Sequence, residues 1–267
     1  MVMEVIWACL FTAGCWWFGT GVILWLDRRP AHTFSRSLAG WTVLLALSFA
    51  GVAWSMREVS VFNAYLAFGS VIVMWGWHEL AFLTGWITGP RKTALTPGAT
   101  GARRFAESVQ VMLYHELALV ANFALLWWMQ AEQPNHVAIC TYALLWFMRL
   151  SAKLNLFFGV PQTGAQYLPP HLSYLGSYFR QRAVTPWFVL SLSAAIGTWV
   201  WLVWLAQQGA VAITTGWVML ATLLGLAIVE HVIMVLPWPL ERLWGWAMAA
   251  RAVEPVLNPP APPGKHA

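Results

Sequence analysis

The sequence predicts an all-α membrane protein, a polytopic helical bundle of about seven transmembrane helices. Of its 267 residues, 60% are hydrophobic and 9% are charged, whereas soluble domains carry about 25% charged residues. Apolar runs of about 20 residues recur along the chain, and each is long enough to cross the hydrocarbon core as a helix. The connections between these runs are too short to hold a soluble domain. We therefore expect residues 1–236 to form one membrane domain.

Each predicted span is an apolar run bounded by polar residues, Gly or Pro. The first run has no basic segment before it and is too long for a signal peptide, so it is predicted to be a retained span. The longest connections are residues 88–104 and 161–184. The seven predicted spans cover about residues 3–26, 37–56, 61–87, 105–130, 136–160, 185–206 and 211–236.

Lys and Arg are concentrated on one side of these spans. They lie in the connections after spans one, three and five and in the C-terminal region, whereas only Arg57 lies in a connection on the other side. The positive-inside rule therefore predicts that the N-terminus is outside and the C-terminus is cytoplasmic. Because the net charge of +5 arises in these loops, it does not indicate nucleic-acid binding.

Three segments are predicted to lie outside the spans. The connector 161–182 is predicted to be an amphipathic helix on the cytoplasmic surface. Residues 237–251 are predicted to form a short interfacial helix, and the Pro-rich tail 252–267 is predicted to be disordered. The apolar face of the connector helix would consist of Leu168, Leu172, Leu175 and Phe179.

Three adjacent His and Glu pairs lie inside the predicted spans, where an ionised carboxylate costs about 2.5–3.5 kcal/mol on insertion scales. Span five adds Arg149 and Lys153, which are four residues apart and so share one helix face. All these side chains map to the cytoplasmic half of the bundle, which predicts one polar layer. The pairs are His78 with Glu79, His115 with Glu116, and Glu230 with His231.

Three uses of this layer stay open from the residues alone. The His and Glu set would suit a di-metal centre holding Fe, Mn or Zn, although it lacks the Glu-x-x-His spacing of ferritin-like centres. One histidine in an aromatic-rich span would suit axial ligation of a chlorophyll-type magnesium. Alternatively, Arg149 and Lys153 neutralise the glutamates in a structural network. Asn122 and Asn155 are predicted to extend the layer.

Four motifs in the chain resemble, in the same order, those of the PuhE family of photosynthetic complex assembly proteins. The resemblance covers about residues 10–235. The chain departs from the family pattern at Gln162 and Gln166, neither of which lies in the polar layer. The motifs are Glu79-Leu-Ala-Phe-Leu-Thr-Gly with Ile87-Thr-Gly-Pro, Tyr114-His-Glu-Leu-Ala, Ala152-Lys-Leu-Asn-Leu-Phe-Phe-Gly-Val-Pro, and Leu168-Pro-Pro-His-Leu.

The resemblance implies a multi-pass protein of the inner or intracytoplasmic membrane of phototrophic bacteria. Such a protein would assist assembly of reaction-centre and light-harvesting complexes, with their subunits and bacteriochlorophyll as partners besides the lipid bilayer. The resemblance implies no reaction and no catalytic residue. The alternative hypothesis is a membrane metalloenzyme whose His and Glu residues hold a metal that modifies a tetrapyrrole or carotenoid-like lipidic substrate.

Overall fold

A computed structural model describes residues 2–238 and 242–248. These residues are mainly helical, and the only β-type pairing among them is an isolated bridge between Val160 and Gln181. The α-helices in the described part are α1 Val2–Asp27, α2 Phe34–Ser55, α3 Val61–Leu83, α4 Gly101–Gln110, α5 Leu113–Gln130, α6 Val137–Phe158, α7 Pro186–Leu205, α8 Val211–Ile233 and α9 Gly245–Met248.

Six helices, namely α1, α2, α3, α6, α7 and α8, are long and apolar enough to cross a membrane. The pair α4 and α5 meets the same criterion as one segment that is bent by 65°. The predicted all-α, polytopic fold class is therefore confirmed.

The structure divides the predicted span 105–130 into two helices. The first, α4, carries Arg103, Arg104 and Glu107 and lies against the loop that precedes it. That loop also provides a hydrogen-bond acceptor for the start of α5, because the backbone N–H of His115 donates to the carbonyl of Thr88 at 3.0 Å. We therefore take α5 as the membrane-crossing part of the pair and α4 as part of the end of the bundle.

Two other predicted spans extend beyond their helices. The helix within 61–87 ends at Leu83, and Gly85 then adopts a φ of +80°, a left-handed conformation that glycine tolerates best. The helix within 211–236 ends at Ile233, shortly before Pro237. Both helices end before the predicted end of the span, although apolar residues continue into the turns that follow.

The connector 161–182, predicted to be an amphipathic helix, is not one continuous helix. The connector forms short 3₁₀ helices at Ala165–Tyr167 and Pro170–Tyr178. The buried residues of Pro170–Tyr178 follow the three-residue period of a 3₁₀ helix rather than the predicted 4-3-4 spacing. They are Leu172, Leu175 and Tyr178.

The predicted interfacial helix 237–251 is described only in part. Within it, the structure shows the four-residue helix α9, Gly245–Met248. The predicted disordered tail, 252–267, lies outside the described residues.

The centre of the bundle is formed by α3 and α8. Helix α3 contacts α1, α2, α5, α6 and α8, and α8 contacts α1, α3, α6 and α7. In lipid, helices associate through van der Waals packing, so small residues at contact points let backbones approach. A Cβ atom on Gly76 would lie 2.6 Å from the Trp41 ring. Glycine there lets Trp41 of α2 lie against α3, where its Nε1 donates to the carbonyl of Val73 at 2.9 Å.

The connections gather at two ends of the bundle. We call one of them the basic end, and its connections are 28–33, 84–112, 159–185 and the described part of 234–248. The connections at the opposite end are 56–60, 131–136 and 206–210. At the basic end, the two long connections pack together as a cap with its own apolar cluster. Its buried members are Phe82, Val111, Leu172, Leu175 and Tyr178.

The buried Arg104 ties this cap to the bundle. Its guanidinium donates to the carbonyls of Phe157 at 2.9 Å and Tyr178 at 2.7 Å, and it lies 4.0 Å from the Phe157 ring centroid. Desolvation, and then the charges of Arg180 and Arg182, lower the pKa of Arg104 to about 10. The side chain therefore stays charged at neutral pH, and its charge strengthens both hydrogen bonds.

A network of ion pairs and hydrogen bonds joins α4 to the loop that precedes it. Glu107 accepts hydrogen bonds from the backbone N–H and the hydroxyl of Thr96 at 3.0 and 2.8 Å, and it pairs with Arg91 and Arg103, each at 3.1 Å. The pKa of Glu107 falls to about 2, chiefly because of the Thr96 backbone N–H and then the other hydrogen bonds and the Arg91 charge. Glu107 is therefore ionised throughout the physiological pH range.

Candidate functional site

The polar residues picked out in the sequence lie close to the basic end. Glu79 is four residues before the end of α3, and Glu230 is three residues before the end of α8. Glu116 lies in the first turn of α5. At 1.5 Å per residue, Glu79 and Glu230 are about 5–6 Å from the ends of their helices. We call these three carboxylates, together with Arg149 and Lys153 of α6, the charged layer.

The first ion pair of the charged layer joins α6 to α3. Arg149 Nη2 lies 2.6 Å from Glu79 Oε2. The Arg149 side chain is 43% exposed and that of Glu79 is 12% exposed, so the guanidinium also faces space beyond its partner. The second carboxylate oxygen of Glu79, Oε1, is buried and has no hydrogen-bond partner among the described residues.

The second ion pair joins α6 to α5. Lys153 Nζ contacts Glu116 Oε1, and the other carboxylate oxygen accepts from the indole of Trp146 at 3.5 Å. The side chains of Lys153 and Glu116 are 15% and 23% exposed, so this pair is more enclosed as a whole than the first. The four-residue spacing on α6 thus directs the two cations to carboxylates on two different helices.

The third carboxylate has a different environment. Glu230 is exposed, and its Oε1 accepts a hydrogen bond from the Trp16 indole of α1 at 2.8 Å. Among the described residues, no cation lies within ion-pair distance of Glu230. Arg149 and Glu79 are still near enough to act on it electrostatically.

Polar side chains of α6 also link that helix to its neighbours α8 and α7. His231 Nδ1 lies 2.8 Å from the carbonyl of Ala227, and its Nε2 lies 3.0 Å from the hydroxyl of Ser151. Asn155 donates to the hydroxyl of Ser191 at 3.1 Å, so it joins α6 to α7 rather than extending the charged layer. Both ring nitrogens of His231 are therefore engaged.

The other two histidines lie between α3 and α5. His78 Nε2 lies 2.7 Å from the amide nitrogen of Asn122, so this ring nitrogen accepts a hydrogen bond. His115 packs on Phe82 with 4.7 Å between ring centroids and makes no hydrogen bond to the described residues through its ring. Its Nδ1 is buried and without a partner there.

The structure does not assemble the predicted di-metal centre. Across residues 2–238 and 242–248, no three His, Cys, Asp or Glu side chains come together in an arrangement that could hold a metal ion. Neighbouring residues on a helix point about 100° apart, so the histidine and glutamate of each pair reach different partners. The carboxylates contact cations or indoles, and the histidines lie elsewhere.

Axial ligation of a chlorophyll-type magnesium by one of these histidines stays a prediction. His231 has both ring nitrogens engaged, and His78 has one bonded to Asn122 and the other buried. His115 is 1% exposed and packed on Phe82, and its Nδ1 has no hydrogen-bond partner among the described residues. What the described residues show is two ion pairs, each of which joins α6 to another helix.

Three residues of this site were not singled out from the sequence. Trp146 shares a face of α6 with Arg149 and Lys153, so helical spacing alone would have found it. Ser151 and Trp16 contact His231 and Glu230 from other helices. No sequence signal separates Trp16 from the other tryptophans among the 20 in the chain.

Comparison with known proteins places these features in a family. A family model described as "Protein of unknown function (DUF3623)" matches residues 2–254. A protein of Rhodobacter capsulatus, named "Uncharacterized 30.4 kDa protein in puhA 5'region", is 39% identical over 246 residues. That alignment covers 90% of this chain and 89% of the relative. No solved structure is significantly similar to the chain. Because the family model spans nearly the whole chain, the protein belongs to the DUF3623 family.

Proposed function

We propose that this protein is an integral membrane factor that assists assembly of the bacterial photosynthetic reaction-centre and light-harvesting complex. The observation that carries the proposal is the 39% identity to the Rhodobacter capsulatus protein named for the puhA 5' region, a region of photosynthesis genes. The resemblance of four sequence motifs to the PuhE family supports the same role. The location that goes with this role is the inner or intracytoplasmic membrane, with the C-terminus in the cytoplasm.

The surface of the bundle is consistent with binding other membrane components. Helices α5 and α7 expose indole rings along their outer faces, and large aromatic side chains carry much of the binding energy of interfaces. Such faces suit flat aromatic pigments and the helices of membrane subunits. The exposed tryptophans are Trp127 and Trp128 of α5 and Trp199, Trp201 and Trp204 of α7.

The charged layer supports a binding role more than a chemical one. Glu79 and Glu116 are held by cations, and Glu230 is held by an indole N–H. A carboxylate held in this way is not positioned with a metal or a histidine for acid–base catalysis. A metalloenzyme would instead need three or more ligands directed at one point.

A deletion strain tests the assembly function. The gene for the relative is removed from Rhodobacter capsulatus, and the strain receives the relative's own gene, the gene for this chain, or an empty vector. Intact complexes are measured by near-infrared absorption and native gels of membranes, and total bacteriochlorophyll is measured after solvent extraction.

If the protein is an assembly factor, the empty-vector strain should lose a larger fraction of its complexes than of its bacteriochlorophyll. The gene for this chain should then restore the complexes. An enzyme of pigment synthesis predicts that the pigment itself is missing or altered. Unchanged complexes and unchanged pigment in the empty-vector strain would overturn the proposed function.

A further inference from the structure

Within the described residues, the charged layer has one more acidic side chain than basic side chains. It contains three carboxylates and two cations, and each cation contacts a different carboxylate. Glu230 is the carboxylate left without a cation, and its hydrogen-bond partner is the Trp16 indole. An isolated ionised carboxylate near the hydrocarbon region is costly, so one further positive group would stabilise it and complete the layer.

In the described part of the chain, Glu230 is the most exposed carboxylate of the layer. Glu230 is exposed, and Arg149, which acts on it electrostatically, keeps 43% of its side chain exposed. Glu79 and Lys153 are much more enclosed. A positive group from another molecule would therefore meet Glu230 first, while both existing ion pairs stay intact.

The depth of Glu230 indicates what kind of partner carries that positive group. Glu230 lies about 5 Å from the end of α8 at the basic end of the bundle. Helices of bacterial membrane proteins carry their Lys and Arg residues at this depth on the cytoplasmic side, and these long side chains reach along the interface. A free metal ion is a poorer candidate, because no three acidic or histidine side chains of the described chain converge there.

We propose that Glu230 is the docking point for one Lys or Arg side chain, carried near the cytoplasmic end of a transmembrane helix of a partner subunit. This proposal rests on the proposed function, which makes the reaction-centre and light-harvesting subunits the partners. Trp16 positions the carboxylate, because its N–H fixes one oxygen and leaves the other for the incoming cation.

Co-purification tests the contact. Full-length tagged chain is expressed in the deletion strain, solubilised in mild detergent, and the recovered reaction-centre and light-harvesting subunits are quantified. Glu230→Gln is expected to reduce recovery of one subunit about 10-fold or more, because truncating a charge pair at an interface has a large effect on affinity. Gln keeps the size of the side chain and can still accept from the Trp16 indole. The matched control is Glu58→Gln, at an exposed carboxylate of the opposite end.

A charge exchange identifies the partner residue. Glu230→Lys is combined with Lys→Glu or Arg→Glu changes at the cytoplasmic helix ends of the affected subunit, and one combination is expected to restore recovery. Equal recovery with Glu230→Gln and wild-type chains would overturn the docking proposal alone. No recovery with the wild-type chain, together with unchanged complexes in the deletion strain, would overturn the proposed function as well.

Two further results would contradict the inference. Arg251 of this chain lies outside the described residues, and Arg251→Gln is tested in parallel. If it lowers recovery as much as Glu230→Gln does, the cation belongs to this chain and not to a partner. If Glu230→Gln lowers the amount of this protein in the membrane to the same degree as recovery, the role of Glu230 is structural.

Discussion

Removal of Lys153 should destabilise the protein strongly. Lys153→Met leaves the Glu116 carboxylate without its cation in a mostly enclosed position. Removing one partner of a buried ion pair costs about 3–5 kcal/mol of the free energy of unfolding. The 15% and 23% exposure of the two side chains places the loss near 3 kcal/mol. At about 2–4 °C per kcal/mol for a protein of this size, Tm should fall by about 6–12 °C.

The double variant Lys153→Met with Glu116→Gln separates this effect from a packing defect. With both charges removed, no carboxylate is left unpaired, and stability should return to within about 1 kcal/mol of the wild-type value. Arg149→Met is the comparison. It leaves the Glu79 carboxylate, which is 12% exposed, without its cation, so its loss of stability should be of similar size.

Thermal unfolding in mild detergent, followed by circular dichroism, measures all four proteins under one condition. The reasoning would be refuted by a Lys153→Met variant that melts within about 2 °C of wild type. It would equally be refuted by a double variant that is less stable than Lys153→Met alone.

Three further predictions concern the cap at the basic end. The pKa of Glu107 is held at about 2, chiefly by the Thr96 backbone N–H. The ionised Glu107 therefore stabilises the fold fully above its ordinary pKa of 4.5, and this stabilisation is lost as pH falls towards 2. Glu107→Gln should therefore make the fall in Tm between pH 5 and 3 smaller than in the wild type. Gly89→Ala should lower Tm, because its Cβ would overlap the backbone of α4, whereas Gly40→Ala, in open space on α2, should leave Tm unchanged or raise it. Arg104→Met should speed proteolysis of the cap in a limited-digestion time course, because two buried carbonyls lose their donor.

The sequence predicted most of the membrane helices, because a span must be apolar for about 20 residues and this chain has few other apolar segments. It did not predict the break between α4 and α5. Helix α4 is held in place by contacts outside its own sequence: Glu107 bonds to Thr96 of the preceding loop, and Arg104 donates to the distant carbonyl of Tyr178. The 3₁₀ form of Pro170–Tyr178 was missed because apolar residues spaced three and four apart fit both helix types.

In the charged layer, too, local sequence patterns predicted which residues take part but not which residues contact each other. Helical spacing placed Arg149 and Lys153 on one face, and the hydropathy of the spans placed Glu79, Glu116 and Glu230 towards one end. Which carboxylate each cation contacts depends on the order of helices around α6, which no local pattern encodes. The sequence therefore named these members of the layer without showing that they contact indoles and cations instead of one metal.

The position of both cations on α6 has a consequence for how the chain enters the membrane during synthesis. An isolated α6 would carry two positive charges into lipid, at about 2.5–3.5 kcal/mol each on insertion scales. Both of its counter-charges, Glu79 and Glu116, belong to helices that leave the ribosome earlier. Insertion of α6 is therefore coupled to the earlier helices, and a chain truncated before Arg149 would leave two carboxylates unpaired.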